Sequence, residues 1–276
     1  MKRGYTAKRR VFYKSLTSPV THIDMMSERA VIGLIRRRFP DHGFLAEESS
    51  YLNEVTIATR RRLATGLCMT DRKTAKDAKR AGYRWIIDPL DGTVNFVHGI
   101  PQSCVSIAVE KGGRVLAGGV YDPQRDELFL AKRGGGATMN GRRIRVSTRA
   151  PLQRSLLMTG FPYDHQARAG FYLAFLEPFL RRSMDLRRFG SAALDLSWIA
   201  CGRIEGYWEF HLNPWDIAAG WLLVEEAGGK VTDFRGQSMD VDHPTETMAS
   251  NGRIHAEMLQ VMKTVRYRGK RVYPPK

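Results

Sequence analysis

Asp88 and Asp91 flank Pro89 and Leu90 in the hexapeptide Asp-Pro-Leu-Asp-Gly-Thr, directly after the apolar run Trp85-Ile86-Ile87. Two carboxylates held this close repel one another unless a cation lies between them. The motif offers carboxylate and carbonyl oxygens but no thiolate or imidazole, a donor set that favours Mg²⁺, Mn²⁺ or Ca²⁺ over zinc. Pro89 fixes φ and stiffens the turn, while Gly92 lets the backbone come close to a ligand. If a helix begins at Gly92-Thr93, its first amides point outward and form a phosphate site. Taken alone, the hexapeptide equally suits an Asx turn with solvated acids. Two further acidic spots add to it. Glu47-Glu48 closes an apolar stretch, where it also reads as a solvated strand end. Asp216 follows Asn213-Pro214-Trp215 at the start of an apolar helix, a place where a first-turn acid is favoured by the helix dipole alone.

The elements that must position these acids follow from periodicity. Val31, Leu34, Ile35 and Phe39 recur at helical spacing, predicting a helix over 24–39 with Arg36, Arg37 and Arg38 near its C-terminal end and Pro40 closing it. A strand is expected over 43–48 and a buried one over 85–88. Alternating apolar residues predict antiparallel strands over 105–109, 115–121 and 127–131, with turns at Gly112-Gly113, at glycines 134–136 and at Asn140-Gly141. Beyond Pro151, strands over 155–159, 185–188 and 204–210 alternate with helices over 171–180, 191–200 and 215–227. This texture predicts an α+β half, residues 1–150, joined to an α/β half, residues 151–276. Residues 49–84 read as a basic insertion, either a long loop or a loosely attached helical segment.

Composition narrows the class. With 43% hydrophobic and 26% charged residues, the 276-residue chain has the make-up of a soluble globular protein with ample core. The net charge of +16 suggests a nucleic-acid partner at first sight. The excess, however, is confined to residues 1–14, 49–84 and 265–276, which leaves the remaining body close to neutral. No apolar run approaches the ~18 residues of a membrane span, and the basic N-terminus lacks the apolar stretch of a secretory signal. A cytoplasmic protein without a membrane partner is therefore expected. Cys68, Cys104 and Cys201 are widely separated, which disfavours a zinc cluster and points to reduced thiols.

Four ordered segments resemble the inositol monophosphatase family. WIIDPLDGTVNFVHGIP is similar to its first signature and NPWDIAAGWLLVEEAGG to its second. RRFGSAALDLSWIACGRIEGYWE resembles its substrate-side segment, and PVTHID followed by FPDHGFLAEES its opening metal motif. The intervals of 23 residues from Asp24 to Glu47 and seven from Glu209 to Asp216 also match. The resemblance covers residues 18–48 and 85–255, with a texture closest to the bacterial extragenic-suppressor branch. The chain departs from the family in two places. Residues 1–16 read poorly as the long amphipathic helix that family members carry there, and Ser49–Arg84 is longer than usual.

The resemblance implies a layered αβαβα sandwich, two or three Mg²⁺ ions, lithium sensitivity and a homodimer. One ion would be held by Glu47, Asp88 and the carbonyl of Leu90, a second by Asp88, Asp91 and Asp216, and a weaker third near Glu47. Thr93, with Asp24 taking its hydroxyl proton, would orient the attacking water alongside Glu47. The amides of Gly92 and Thr93 would hold phosphate oxygens. Asp91, Gly190, Ser191, Ala192, Glu209 and Asp216 would meet the substrate. The implied activity is hydrolysis of inositol 1-phosphate. Relatives act on fructose 1,6-bisphosphate, histidinol phosphate or adenosine 3′,5′-bisphosphate, and the bacterial branch also suggests contact with RNA or RNA polymerase. His98 and His211 are expected to be solvated or satisfied, and Trp85, Trp208 and Trp215 to lie in the core.

Overall fold

The computed structural model describes residues 11–15, 18–50, 82–244 and 246–272. The N-terminal basic residues 1–10, most of the basic insertion (51–81, with Cys68) and residues 273–276 lie outside the described residues.

A hairpin of β1 (Val11–Ser15) and β2 (Ser18–Thr21) leads into α1 (His22–Arg38). The next strands are β3 (Gly43–Ala46) and β4 (Tyr83–Asp91), followed by the short helix α2 (Thr93–Val97). Then come β5 (Cys104–Lys111), β6 (Arg114–Asp122), β7 (Glu127–Lys132), β8 (Gly136–Met139) and β9 (Arg142–Arg143). Strands β3 to β9 form one seven-stranded sheet in sequence order, antiparallel except for the parallel pair β3–β4. Two-residue glycine turns at positive φ, such as Gly112-Gly113, let consecutive strands fold back on one another.

The second sheet holds β10 (Leu156–Thr159), β11 (Asp185–Arg187), β12 (Gly206–Phe210), β13 (Lys230–Thr232) and β14 (Glu246–Ser250) in the order β11-β10-β12-β14-β13. Helices α3 (His165–Leu180), α4 (Ala192–Ala200), α5 (Pro214–Glu226) and α6 (His255–Thr264) fill the connections, and the hairpin β15 (Arg266–Tyr267) and β16 (Lys270–Arg271) follows.

The layers follow from which faces are apolar. α4 and α5 are apolar almost all round, so both are buried between the sheets, α5 touching β5 and β6 on one side and β13 and β14 on the other. The core there includes Ile86, Val120, Phe129, Leu194, Ile217, Leu222 and Val231. Strand β12 alternates in the usual period of two. Tyr207 faces this inner core, whereas Trp208 and Phe210 face a second one with Tyr172, Phe175, Phe179 and Met258, under α3 and α6. With α1 packed on β4, the order is helix, sheet, helices, sheet, helices, the αβαβα sandwich that the sequence resemblance implies.

Three local expectations change. The apolar stripe of α1 is not its buried face: Leu34 is 61% exposed, while Asp24 and Glu28 are the buried residues. Polar groups turn inward there because they serve the site described below. Strand β3 stops at Ala46 and Glu47-Glu48 opens a helical turn instead. Of the three tryptophans expected in the core, Trp208 is fully buried. Trp85 and Trp215 are half-buried, and Trp85 donates from Nε1 to His42 Nδ1 at 2.9 Å. Cys104 is buried, Cys201 half-buried, and both are free thiols. Among the described residues no helix is long and apolar enough to cross a membrane.

Candidate functional site

Where the two sheets meet, a cavity of about 350 Å³ opens to the surface. Glu47, Asp88, Leu90, Asp91, Gly92, Thr93, Gly190, Ser191, Ala192, Glu209 and Asp216 all line it. Asp24 lies just behind, joined to the wall by the Thr93 hydroxyl. The metal, catalytic and substrate candidates named from the sequence thus stand around one cavity, although their acids come from five separated segments.

Each acid is held by a different backbone device. The Leu90 amide donates to Asp88 Oδ1 at 2.9 Å, closing the Asx turn around Pro89. The Ser191 hydroxyl (2.7 Å) and the Ala193 amide (2.8 Å) both donate to Asp91 Oδ2, so an acid on the first sheet caps the helix α4 of the second half. Asp216 sits at the third position of α5, its Oδ2 accepting from the Asn213 amide at 2.7 Å in a capping box. In all three, one carboxylate oxygen is tied to the protein, and among the described residues no protein donor takes the other. A carboxylate fixed by one oxygen and open at the other is the usual arrangement of a metal ligand with its supporting shell.

Electrostatics point the same way. Burial, and then the charges of Glu47, Asp91 and Asp216, hold the Asp88 carboxyl well above the usual range. Burial, then Asp91, does the same for Asp216. Asp91 is raised to about 6, mainly by burial, against the lowering effect of its Ser191 and Ala193 donors. Arg188 is the one Lys or Arg side chain lining the cavity among the described residues. Several acids against a single guanidinium are costly unless cations join them.

The donors fit hard divalent cations: four carboxylates and the Leu90 carbonyl, with no nitrogen or sulfur among them. They ring the cavity instead of meeting at one point, since among the described residues no three His, Cys, Asp or Glu side chains stand at the spacing of one ion's ligands. Mg²⁺ keeps several waters of its own and takes one or two carboxylates directly, so a wet ring of acids suits it better than a closed cage.

Thr93 and its supports stand at the inner wall. The Thr93 hydroxyl reaches Asp24 Oδ1 at 3.2 Å and the Leu90 carbonyl at 3.0 Å. It has one proton, so donation to Asp24 leaves both carbonyl lone pairs for a cation. Asp24 cannot swing away, because its Oδ2 accepts from the Thr21 amide (2.8 Å) and hydroxyl (2.5 Å). Burial raises the Asp24 carboxyl, and Glu47 adds to the effect. Gly92, at φ +87°, starts α2, and the amides of Gly92 and Thr93 donate to no protein acceptor among the described residues.

On the far wall the Tyr207 hydroxyl donates to Glu209 Oε2 at 2.5 Å, and burial raises the Glu209 carboxyl to about 7. Opposite stands Gly160. A Cβ built there would lie 2.1–2.2 Å from the Glu209 carboxylate, so the absence of a side chain makes the room for this acid. Gly160→Ala is expected to displace the Glu209 carboxylate and its Tyr207 hydrogen bond, at a cost of ~1–3 kcal/mol read from thermal melts.

Several residues of the site are not assigned to it by the sequence. Glu28 accepts from the Glu48 amide at 2.8 Å and the Ser49 amide at 3.0 Å, and so anchors the turn that presents Glu47. Its position four residues after Asp24, on the same helix face, was the available clue. Tyr163 lines the cavity with a half-exposed ring, and burial and the four nearby acids raise its phenol. His211, expected to be an ordinary solvated histidine, is exposed, but it also lines the cavity and holds a left-handed φ of +54°.

Fold and site together define a phosphatase-type sandwich with an acid-lined cleft between its sheets. A profile of the inositol monophosphatase family matches residues 1–267, and the chain belongs to that family. It is 43% identical over 223 residues to the Nus factor SuhB of Pasteurella multocida, covering 81% of this chain and 74% of that protein. It is 41% identical over 243 residues to the inositol-1-monophosphatase of a Synechocystis species, covering 88% of this chain and 76% of the other. The fold matches the extragenic suppressor protein suhB of Bartonella henselae with a TM-score of 0.81 at 37% identity, over 95% of this chain and 92% of that one.

Proposed function

We propose that this protein is a magnesium-dependent phosphatase of small phosphorylated polyols, with inositol 1-phosphate its foremost substrate. The observation that carries this reading is the convergence of Glu47, Asp88, Asp91 and Asp216, the Leu90 carbonyl and the Gly92-Thr93 turn on one cavity. Glu47, Asp88 and Leu90 would hold one cation and Asp88, Asp91 and Asp216 another, in part through the cation's own waters because the three carboxylates do not meet at one point, with a third near Glu47. Bound there, the ions supply charge neutralisation for phosphoryl oxygens and acidify nearby water.

The protein's own groups do the rest. Thr93, its proton committed to Asp24, presents an oxygen lone pair that accepts a hydrogen bond from the attacking water, and Glu47 stands beside it as the second orienting group. The Gly92 and Thr93 amides fix the phosphate. Asp91, Gly190, Ser191, Ala192, Glu209 and Asp216 face the alcohol half, and Glu209 accepts hydrogen bonds from its hydroxyls.

A carboxylate accepts best when ionised. KM is therefore expected to fall as pH rises through about 7, and Glu209→Gln to flatten that dependence. A pH profile of KM at saturating Mg²⁺ reads it. The reading as a whole is tested by phosphate release from inositol 1-phosphate, fructose 1,6-bisphosphate, histidinol phosphate and adenosine 3′,5′-bisphosphate, with and without Mg²⁺. Release that ignores Mg²⁺, or no release from any of them, sinks it. Lithium inhibition and a homodimer belong to the same proposal.

A second reading, contact with RNA or RNA polymerase, is favoured by the Nus factor name of the relatives and by the basic residues of segments 1–14, 49–84 and 265–276, which could meet phosphates. It is compatible with the first. RNA binding that weakens steeply with salt supports it, and absent or salt-independent binding rejects it as an electrostatic role.

A further inference from the structure

Arg188 follows β11 and lines the same cavity as the acids, with its side chain exposed at the rim. Several other arginines are engaged: Arg125 with Asp122, Arg149 with Glu205, Arg187 with Asp185 and Arg203 with Glu127. Among the described residues Arg188 makes no hydrogen bond, ion pair or ring contact. Its place is nonetheless well defined. A Cβ built on Gly190 would stand 2.8 Å from Arg188 Nη1 and 3.2 Å from Asn95 Nδ2, so the guanidinium lies across the Gly190 backbone, between α2 and the start of α4. The Gly190 carbonyl in turn lies 3.3 Å from the Cβ position of Gly92. The guanidinium is thus a residue's width from the turn that takes the scissile phosphate, and its charge is felt by Glu209 on the alcohol side.

A guanidinium carries five donors in a rigid fork and binds phosphate through paired, charge-assisted hydrogen bonds. The scissile phosphate already has the Gly92 and Thr93 amides and the cations, and the neutral hydroxyls of a polyol have Glu209. What remains unmatched at the rim is a donor set for an anion on the part of the substrate that leaves. We propose that Arg188 is a specificity-determining residue that binds a second phosphate carried by the alcohol half, so that the site takes polyol bisphosphates as well as monophosphates.

This rests on the phosphatase reading, and the two can fail separately. Steady-state kinetics on inositol 1-phosphate and inositol 1,4-bisphosphate, at fixed Mg²⁺, compare wild type with Arg188→Ala and Arg188→Lys. Among the described residues Arg188 has no hydrogen bond or ion pair to lose, and Arg188→Lys keeps the charge that favours Glu209 and Asp195. Arg188→Lys should therefore keep the wild-type melting temperature, and Arg188→Ala should still melt cooperatively close to it. In Arg188→Ala, kcat/KM on the bisphosphate is expected to fall ~10–100-fold through KM. That fall should exceed the one on the monophosphate at least ~10-fold, with Arg188→Lys intermediate because it keeps charge but loses the fork. Equal falls on both esters, or hydrolysis of the monophosphate by a wild type that does not take the bisphosphate, overturn the assignment and leave the phosphatase standing. No hydrolysis of either ester removes both.

Discussion

Asp88→Asn is expected to abolish magnesium-dependent phosphate release, with a loss of ~10³-fold or more, while making the magnesium-free protein melt higher. The rate falls because Asp88 is shared between both proposed cation positions, and charge stabilisation by such ions is worth several kcal/mol of barrier. The stability rises because Asp88 is 2% exposed among Glu47, Asp91 and Asp216, whose charges repel its own. The amide keeps the oxygen that accepts from Leu90 and discards the charge. The sign with pH is the same. Carboxyls raised in the folded state contribute stability that is present below the ordinary carboxylate range and lost as pH rises through their folded values, about 6 for Asp91. Adding Mg²⁺ should restore that loss in the wild type and do so much less in the variant, as binding to the folded state alone requires. Thermal melts with and without Mg²⁺ at pH 5 and pH 8, beside the rate assay, measure all of this. A variant that still releases phosphate with Mg²⁺ would remove Asp88 from the site.

Gly92→Ala should be the most damaging change that leaves every acid in place. Gly92 holds φ +87°, a conformation that costs other residues ~1–2 kcal/mol. A Cβ would also stand 2.7 Å from the Gln102 carbonyl and 3.2 Å from Ser103 Cα, both backbone atoms that cannot turn aside. The turn must therefore shift, and with it the Gly92 and Thr93 amides. By the worth of one oriented donor at a developing negative charge, kcat should drop ~10²–10³-fold. Gly112→Ala separates strain from function. Gly112 has φ +59° but no atom within 4 Å of its Cβ position, in a hairpin between β5 and β6. It should lose ~1 kcal/mol of stability and no activity. If Gly92→Ala behaved like Gly112→Ala, the phosphate would have to bind elsewhere.

Much of the architecture was written in local patterns. Alternation fixed the antiparallel strands over 105–131, and apolar runs closed by glycine fixed α4 and α5. The hairpin β1–β2, the strands β13 and β14 and helix α6 went unread, because short segments carry too few periods to be distinguished from loops. The apolar stripe on α1 named the wrong buried face, since periodicity counts greasy residues and cannot know that Asp24 and Glu28 are the ones needed inside. The αβαβα order and the family came from the motifs, whose residues and intervals are specific.

What the sequence determined is therefore the kit: which acids, which glycine turn and which helix starts, each a short stretch whose chemistry is intrinsic to its residues. What only the tertiary structure decided is how the kit is joined. Asp91 caps α4 a hundred residues away, Glu28 ties down the turn bearing Glu47, Gly160 leaves space for Glu209, and Arg188 reaches the rim with no hydrogen bond or ion pair among the described residues. Such contacts depend on the packing of two sheets about α4 and α5. Hydrogen bonds and steric gaps between distant segments come into being only when burial has brought those segments together, so no local pattern records them.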